Sequence, residues 1–105
     1  MSDALDRLFA TIAARKGADP AQSYTAKLLA EGVEKCAKKF GEEATEAVIA
    51  AVARNKTELA KESADLLYHL AVLWAASGLT PEEVYAVLAS REGQSGLEEK
   101  ASRKT

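Results

Sequence analysis

The sequence predicts an all-α fold: a long antiparallel helical hairpin with shorter flanking helices, completed into a bundle by dimerisation. Only two prolines interrupt the chain, alanine is abundant and aromatic residues are few, which favours helices over strands. Apolar residues also recur at three- and four-residue spacing, as on one face of a helix. Finally, the 105 residues are 48% hydrophobic, and a chain of this length buries only about two-thirds of its unfolded surface by itself.

The first helix is expected from Ser2 to about Lys16, where apolar residues form one stripe. The stripe consists of Leu5, Leu8, Phe9, Ile12 and Ala13. Residues 17–20, Gly-Ala-Asp-Pro, end this helix. Ser23 is then a suitable cap for a short helical segment, which Gly32 breaks or bends. This segment contains Tyr24, Lys27, Leu28 and Leu29.

The next two helices form the predicted hairpin. The first of them is expected from about Val33 to Arg54, and residues 55–57, Asn-Lys-Thr, form the turn. The second is expected from about Glu58 to Ser77, with Gly78 as the residue that ends it. Its apolar residues leave little polar surface for water, so the sequence predicts an obligate dimer. These residues are Leu66, Leu67, Leu70, Ala71, Val72, Leu73 and Trp74.

The last helix begins with a capping box, in which the Thr80 side chain and Glu83 cap each other's backbone nitrogens. It is expected to continue to about Ser90. We therefore predict a single domain over residues 1–91. The remaining polar residues, 92–105, show no periodicity and are expected to be a disordered tail.

Charge and composition exclude several classes of function. The net charge of −2, from 14 basic and 16 acidic residues, leaves no basic excess for a nucleic-acid backbone. The longest apolar runs are too short to span a membrane. The N-terminus has no cationic flank or hydrophobic region typical of a signal peptide, and the lone Cys36 cannot form an internal disulfide. These features predict a cytoplasmic protein that binds neither nucleic acid nor membrane.

Two acidic motifs carry the functional signal, one on each arm of the hairpin. Glu43 and Glu46 are three residues apart, as are Glu62 and Asp65, so each motif presents two carboxylates on one helix face. The midpoint between the motifs falls at Arg54, close to the predicted turn. Both motifs should therefore lie at the same height in an antiparallel hairpin.

Four carboxylates at one level repel each other unless a cation lies between them. Mg²⁺ prefers oxygen ligands and keeps waters that substrate phosphates can replace. Bound in this way, such ions polarise a phosphoryl group and activate water. The alternative interpretation is a set of solvated surface glutamates, since Glu is common in helices. The matched register and the apolar residues around both motifs favour the metal site.

The same acidic residues resemble the E-x-x-E…E-x-x-D metal motif of the all-α (MazG-like) nucleotide pyrophosphohydrolases. Within that superfamily, three stretches are similar to the phosphoribosyl-ATP pyrophosphohydrolase family of histidine biosynthesis. They are Ser23-Tyr24-Thr25-Ala26-Lys27-Leu28, Lys39-Phe40-Gly41-Glu42-Glu43-Ala44-Thr45-Glu46 and Asp65-Leu66-Leu67-Tyr68-His69-Leu70. The resemblance extends from about Leu5 to Arg91.

This resemblance implies a Mg²⁺-dependent homodimer that converts phosphoribosyl-ATP to phosphoribosyl-AMP and pyrophosphate, with Mn²⁺ as a substitute metal. The expected metal ligands are Glu43, Glu46, Glu62 and Asp65. Glu42 and Glu43 are the expected catalytic pair, with Glu42 as a reserve ligand or a base that orients water.

Four further residues are candidates for substrate binding. Lys39 and Lys27 could hold phosphates, although Lys39 could instead form an i,i+4 ion pair with Glu43. Tyr24 belongs to the Ser-Tyr-Thr segment. His69, the fourth, could equally be a packed core histidine.

His69 is one turn after Asp65, on the acidic face of the helix, and could bond to Asp65 and orient it. As the only histidine, it cannot belong to a histidine-based zinc site.

Two rival functions are open at this stage. One is a house-cleaning (d)NTP pyrophosphohydrolase of the same superfamily. The other is a non-catalytic helical dimerisation module whose acidic residues are only solvated.

Overall fold

A computed structural model describes residues 3–93, and this part of the chain contains five helices and no strand. The helices are α1 (Asp3–Ala14), α2 (Tyr24–Glu31), α3 (Val33–Val52), α4 (Lys56–Ser77) and α5 (Pro81–Ser90). The predicted all-α class is therefore confirmed. Ser2 and, from position 94 onward, the predicted disordered tail lie outside the described residues. None of the described helices is long and apolar enough to cross a membrane.

Helices α3 and α4 form the hairpin and share the most extensive contact, while α2 packs against both of them and α1 packs against α4. The predicted turn is wrong by two to three residues. Helix α3 ends at Val52, and Arg54 adopts a left-handed backbone conformation with φ of 59°. Asn55 is the N-cap of α4, because its side chain accepts a hydrogen bond of 3.0 Å from the Glu58 backbone N–H. Lys56 and Thr57 consequently belong to the helix and not to the turn.

Local capping signals determine most of the other helix ends. Ser23 caps α2 by accepting a hydrogen bond from the Ala26 N–H, and the capping box of Thr80 and Glu83 begins α5. Gly78 ends α4 with φ of 74°, in the left-handed region that favours glycine. These three ends agree with the predictions.

The buried core joins the first four helices. Ile12 from α1, Leu28 from α2, Cys36 from α3, and Ala71 and Val72 from α4 are each at most 1% exposed. The Cys36 Sγ–H donates to the Leu28 carbonyl at 3.3 Å, and burial raises the pKa of this thiol. Cys36 is thus a packing residue and not an activated nucleophile.

A polar contact connects α5 to α1. The Tyr85 hydroxyl donates to Asp6 Oδ1 at 2.8 Å. Partial burial, followed by this bond to a carboxylate, raises the pKa of Tyr85 to about 12. The phenol therefore remains a donor at neutral pH and holds α5 next to α1.

Candidate metal centre

The hairpin brings carboxylates from both acidic motifs together. Glu43 of α3 and Glu62 and Asp65 of α4 each offer one carboxylate oxygen, and these three oxygens lie within 4.8 Å of one another. Glu43 and Glu62 are partly buried, whereas Asp65 is exposed. An oxygen cluster of this size, open on one side, suits a hard divalent cation that retains waters. We refer to these three residues as the acidic trio.

Mutual repulsion within the cluster is visible at Glu62. Its pKa is raised, first by partial burial and then by neighbouring negative charges. The neighbours are Asp65, Glu43, Glu46 and Glu58. A carboxylate that loses water and gains negative neighbours is destabilised in its charged form. A bound cation would relieve this cost, so the electrostatics of Glu62 fit a metal site.

Glu46, the fourth expected ligand, is not part of the acidic trio. It lines a cleft of about 230 Å³ between the two arms of the hairpin, together with Glu58 and Glu62. Glu46 is exposed, and its charge still contributes to the raised pKa of Glu62. Glu58 was not a sequence candidate, although its position one turn before Glu62 on α4 placed it on the same face.

Lys39 and Glu42 form an ion pair on the edge of the site. The Lys39 Nζ lies 3.3 Å from Glu42 Oε1, so the i,i+4 pair with Glu43 considered from the sequence is an i,i+3 pair with Glu42. The hydrogen bond to Glu42 is the main reason that the pKa of Lys39 is raised, and the neighbouring Tyr24 adds to it. Lys27 is exposed on α2, and no ion pair within residues 3–93 joins it to the acidic trio.

His69 lies beneath the acidic trio and faces Glu43, not Asp65 as the sequence suggested. Its side chain is 8% exposed, and its Nε2 lies 4.0 Å from Glu43 Oε1. Burial is the main reason that the pKa of His69 is lowered, although the charges of Glu43 and Asp65 oppose this shift. The imidazole is therefore neutral at physiological pH.

Aromatic side chains surround the imidazole. The ring centroid of Tyr68 lies 5.0 Å from that of His69, and the ring centroid of Tyr24 lies 6.5 Å from it. Both tyrosine rings are nearly perpendicular to the imidazole. Tyr24 is itself 53% exposed. The Tyr68 hydroxyl also shares a hydrogen bond with Thr25 Oγ1, which ties the first turn of α2 to α4. Thr25 and Tyr68 had no predicted role, although both belong to the stretches that carried the family resemblance.

A helical hairpin with carboxylates from both arms gathered at one level is the arrangement expected of the all-α nucleotide pyrophosphohydrolases. The family model described as Phosphoribosyl-ATP pyrophosphohydrolase matches residues 5–92 of this chain. The chain therefore belongs to the phosphoribosyl-ATP pyrophosphohydrolase family.

Curated relatives are similar over nearly the whole chain. A protein of Parvibaculum lavamentivorans is 65% identical over 99 residues, which cover 94% of this chain and 91% of the relative. A protein of Cereibacter sphaeroides is 63% identical, with 94% and 96% covered. A protein of Azospirillum brasilense is 61% identical, with 96% and 91% covered. All three are named phosphoribosyl-ATP pyrophosphatase.

Proposed function

We propose that this protein hydrolyses the α–β phosphoanhydride of phosphoribosyl-ATP and releases phosphoribosyl-AMP and pyrophosphate, a step of histidine biosynthesis. The observation that carries the proposal is the acidic trio, which lies on the hairpin of a chain that belongs to this family. The names of the relatives supply the substrate. Because both substrate and product are phosphorylated metabolites, we place the reaction in the cytoplasm.

Glu43, Glu62 and Asp65 are the proposed first ligands of Mg²⁺, for which Mn²⁺ can substitute. Glu46 is the proposed fourth ligand, since it lines the same cleft as Glu62. When bound, the metal supplies Lewis-acid polarisation of a phosphoryl group and a more acidic water. The raised pKa of Glu62 supports the assignment, because it follows first from partial burial and then from neighbouring negative charges, and a bound cation would offset both.

The remaining residues on the edge of the site are proposed to bind and orient the substrate. Lys39 is the best placed cation for a phosphate oxygen, and a phosphate would compete with Glu42 for its ammonium group. Once released, the Glu42 carboxylate is free to accept a hydrogen bond from the attacking water. The half-exposed ring of Tyr24 offers an apolar surface to the substrate. Lys27 is exposed on the same helix as Tyr24 and is proposed to meet the more distant phosphates.

We further propose a homodimer that buries one face of α3. Ala37, Gly41, Val48 and Val52 follow one another at helical spacing, and all four are exposed. Val48 is 60% exposed and Val52 is 78% exposed. A side chain added at Gly41 would meet nothing within 4 Å, so a second helix has room to approach closely there. This face is uncharged and lies on the side of α3 away from the acidic trio.

Incubation with phosphoribosyl-ATP and Mg²⁺, followed by product analysis, tests the proposed function. We expect equal amounts of phosphoribosyl-AMP and pyrophosphate, and no turnover when EDTA removes the metal. A parallel set of deoxynucleoside triphosphates tests the house-cleaning alternative. Faster turnover of any of these than of phosphoribosyl-ATP would show that the proposed substrate is wrong. No turnover of any nucleotide would favour the non-catalytic module.

A further inference from the structure

We infer that His69 is a positioning residue whose Nε2–H is directed at Glu43 and holds that carboxylate in the orientation needed for metal binding. The inference rests on the proposed function, because it gives Glu43 a metal to bind. It assigns His69 to the support of the site beneath the carboxylates and not to contact with the substrate.

The surroundings of the imidazole indicate which of its nitrogens carries the proton. His69 is 6% exposed, and its Nδ1 is fully buried with no hydrogen-bond partner among the described residues. A proton on Nδ1 would be a buried donor without an acceptor, which is costly. A proton on Nε2 instead faces the Glu43 carboxylate. The geometry therefore favours the neutral tautomer that carries its proton on Nε2.

The side chains of His69 and Glu43 differ in how freely they can move. The distance of 4.0 Å between His69 Nε2 and Glu43 Oε1 is about 1 Å too long for a hydrogen bond. The edges of the Tyr24 and Tyr68 rings confine the imidazole, and Thr25 in turn holds Tyr68. The partly buried Glu43 side chain has several rotatable bonds. Glu43 is therefore the side chain that moves to close the gap, and His69 is the fixed group to which its carboxylate binds.

Packing alone does not require a histidine at position 69. Next along the buried side of α4 are Ala71 and Val72, which are fully buried and apolar. An aliphatic side chain at position 69 would fill the same space without a buried nitrogen that lacks a partner. The polar ring therefore lowers the stability of the fold unless its other nitrogen, Nε2, which faces Glu43, forms a hydrogen bond.

The tautomer can be measured directly, because His69 is the only histidine of the chain. Long-range ¹H–¹⁵N NMR of the full chain, carrying no histidine tag, gives the signals of one imidazole. We expect the pattern of a neutral ring protonated at Nε2, with and without saturating Mg²⁺. A ring protonated at Nδ1 would overturn the inference. This measurement requires no substitution and is therefore independent of whether any variant folds.

Metal affinity supplies the second test. Titration with Mn²⁺ alone, followed by electron paramagnetic resonance, should show about 10- to 100-fold weaker binding for His69→Leu than for the natural chain. His69→Gln can place an amide N–H near the position of Nε2 and should recover most of the affinity. Circular dichroism checks that both variants keep their helices.

The outcomes separate this inference from the proposed function. Equal Mn²⁺ affinity of His69→Leu and the natural chain would overturn the positioning role and leave the metal site intact. Equal loss in His69→Leu and His69→Gln would show that the ring is needed for its shape and not for its donor, which also overturns the inference. If the natural chain shows no saturable Mn²⁺ binding, the proposed function fails first, and the role of His69 fails with it.

Discussion

Replacement of Val52 by aspartate should dissociate the proposed dimer while the subunit remains folded. Full burial of a valine side chain contributes about 1.5–3 kcal/mol. Val52 is 78% exposed in the single chain, so its burial in an interface contributes about 1–2 kcal/mol per subunit. A two-fold interface loses this amount twice, about 2–4 kcal/mol, which weakens association about 30- to 900-fold before any cost of burying charge is added.

Sedimentation equilibrium over a range of concentrations measures this loss. Val87→Asp is the matched control, because Val87 is 46% exposed and lies on α5, outside the α3 face. Substitution of an exposed residue usually changes folding stability by less than about 0.5 kcal/mol, so the Val52→Asp subunit should keep its helical circular-dichroism spectrum, while Val87→Asp should remain dimeric. A Val52→Asp protein that remains dimeric at the same concentrations as Val87→Asp would refute the assignment of this face.

Three more outcomes follow from the site and the core. Asp65→Asn and Glu46→Gln should each reduce turnover at least about 100-fold with circular dichroism unchanged, because a proposed metal ligand loses its charge while its shape remains. The pKa of Glu62 is raised in the folded state. Just above pH 4.5 the folded state therefore keeps the Glu62 proton that the unfolded chain has released, and this stabilises the folded state. The stabilisation is lost as the pH rises further. Metal-free Glu62→Gln should therefore melt above the natural chain at pH 7, by a margin that shrinks towards pH 4.5, and equal melting temperatures at pH 7 would contradict this. Ile12→Ala should lower the free energy of unfolding by about 2–5 kcal/mol in denaturant titrations, since Ile12 is 1% exposed, and a loss below 1 kcal/mol would show that α1 is not part of the core.

The fold was largely predictable because its signals are local. Ser23, Thr80 and Gly78 each determine a helix end through their own side chain or backbone conformation, and each was identified. The hairpin turn was less accurate because Asn55 can belong to a loop or cap a helix. Its bond to the Glu58 N–H, together with the left-handed Arg54, makes it the cap and lengthens α4 by two residues.

The sequence predicted the level of the candidate site along the hairpin but not which carboxylates meet there. Residue counting from the turn correctly brought Glu43 to the level of Glu62 and Asp65. Counting does not determine where each side chain points, and the carboxylate of Glu46 lies outside the acidic trio.

The partner of His69 was missed for a related reason. Spacing along one helix suggested Asp65, whereas the closest carboxylate comes from the facing helix, at Glu43. Similarly, Lys39 had two possible glutamate partners on its own helix, and side-chain packing selected Glu42.

We expect water to attack the α-phosphorus of phosphoribosyl-ATP in a single step that depends on the metal. The described residues contain no activated thiol, since Cys36 is buried with a raised pKa, and direct attack by water is the simplest route. The most direct test is the reaction in ¹⁸O-labelled water with Mg²⁺, followed by mass spectrometry of both products. We expect one ¹⁸O atom in phosphoribosyl-AMP and none in pyrophosphate. Label in pyrophosphate, or orthophosphate as the first product, would contradict the account.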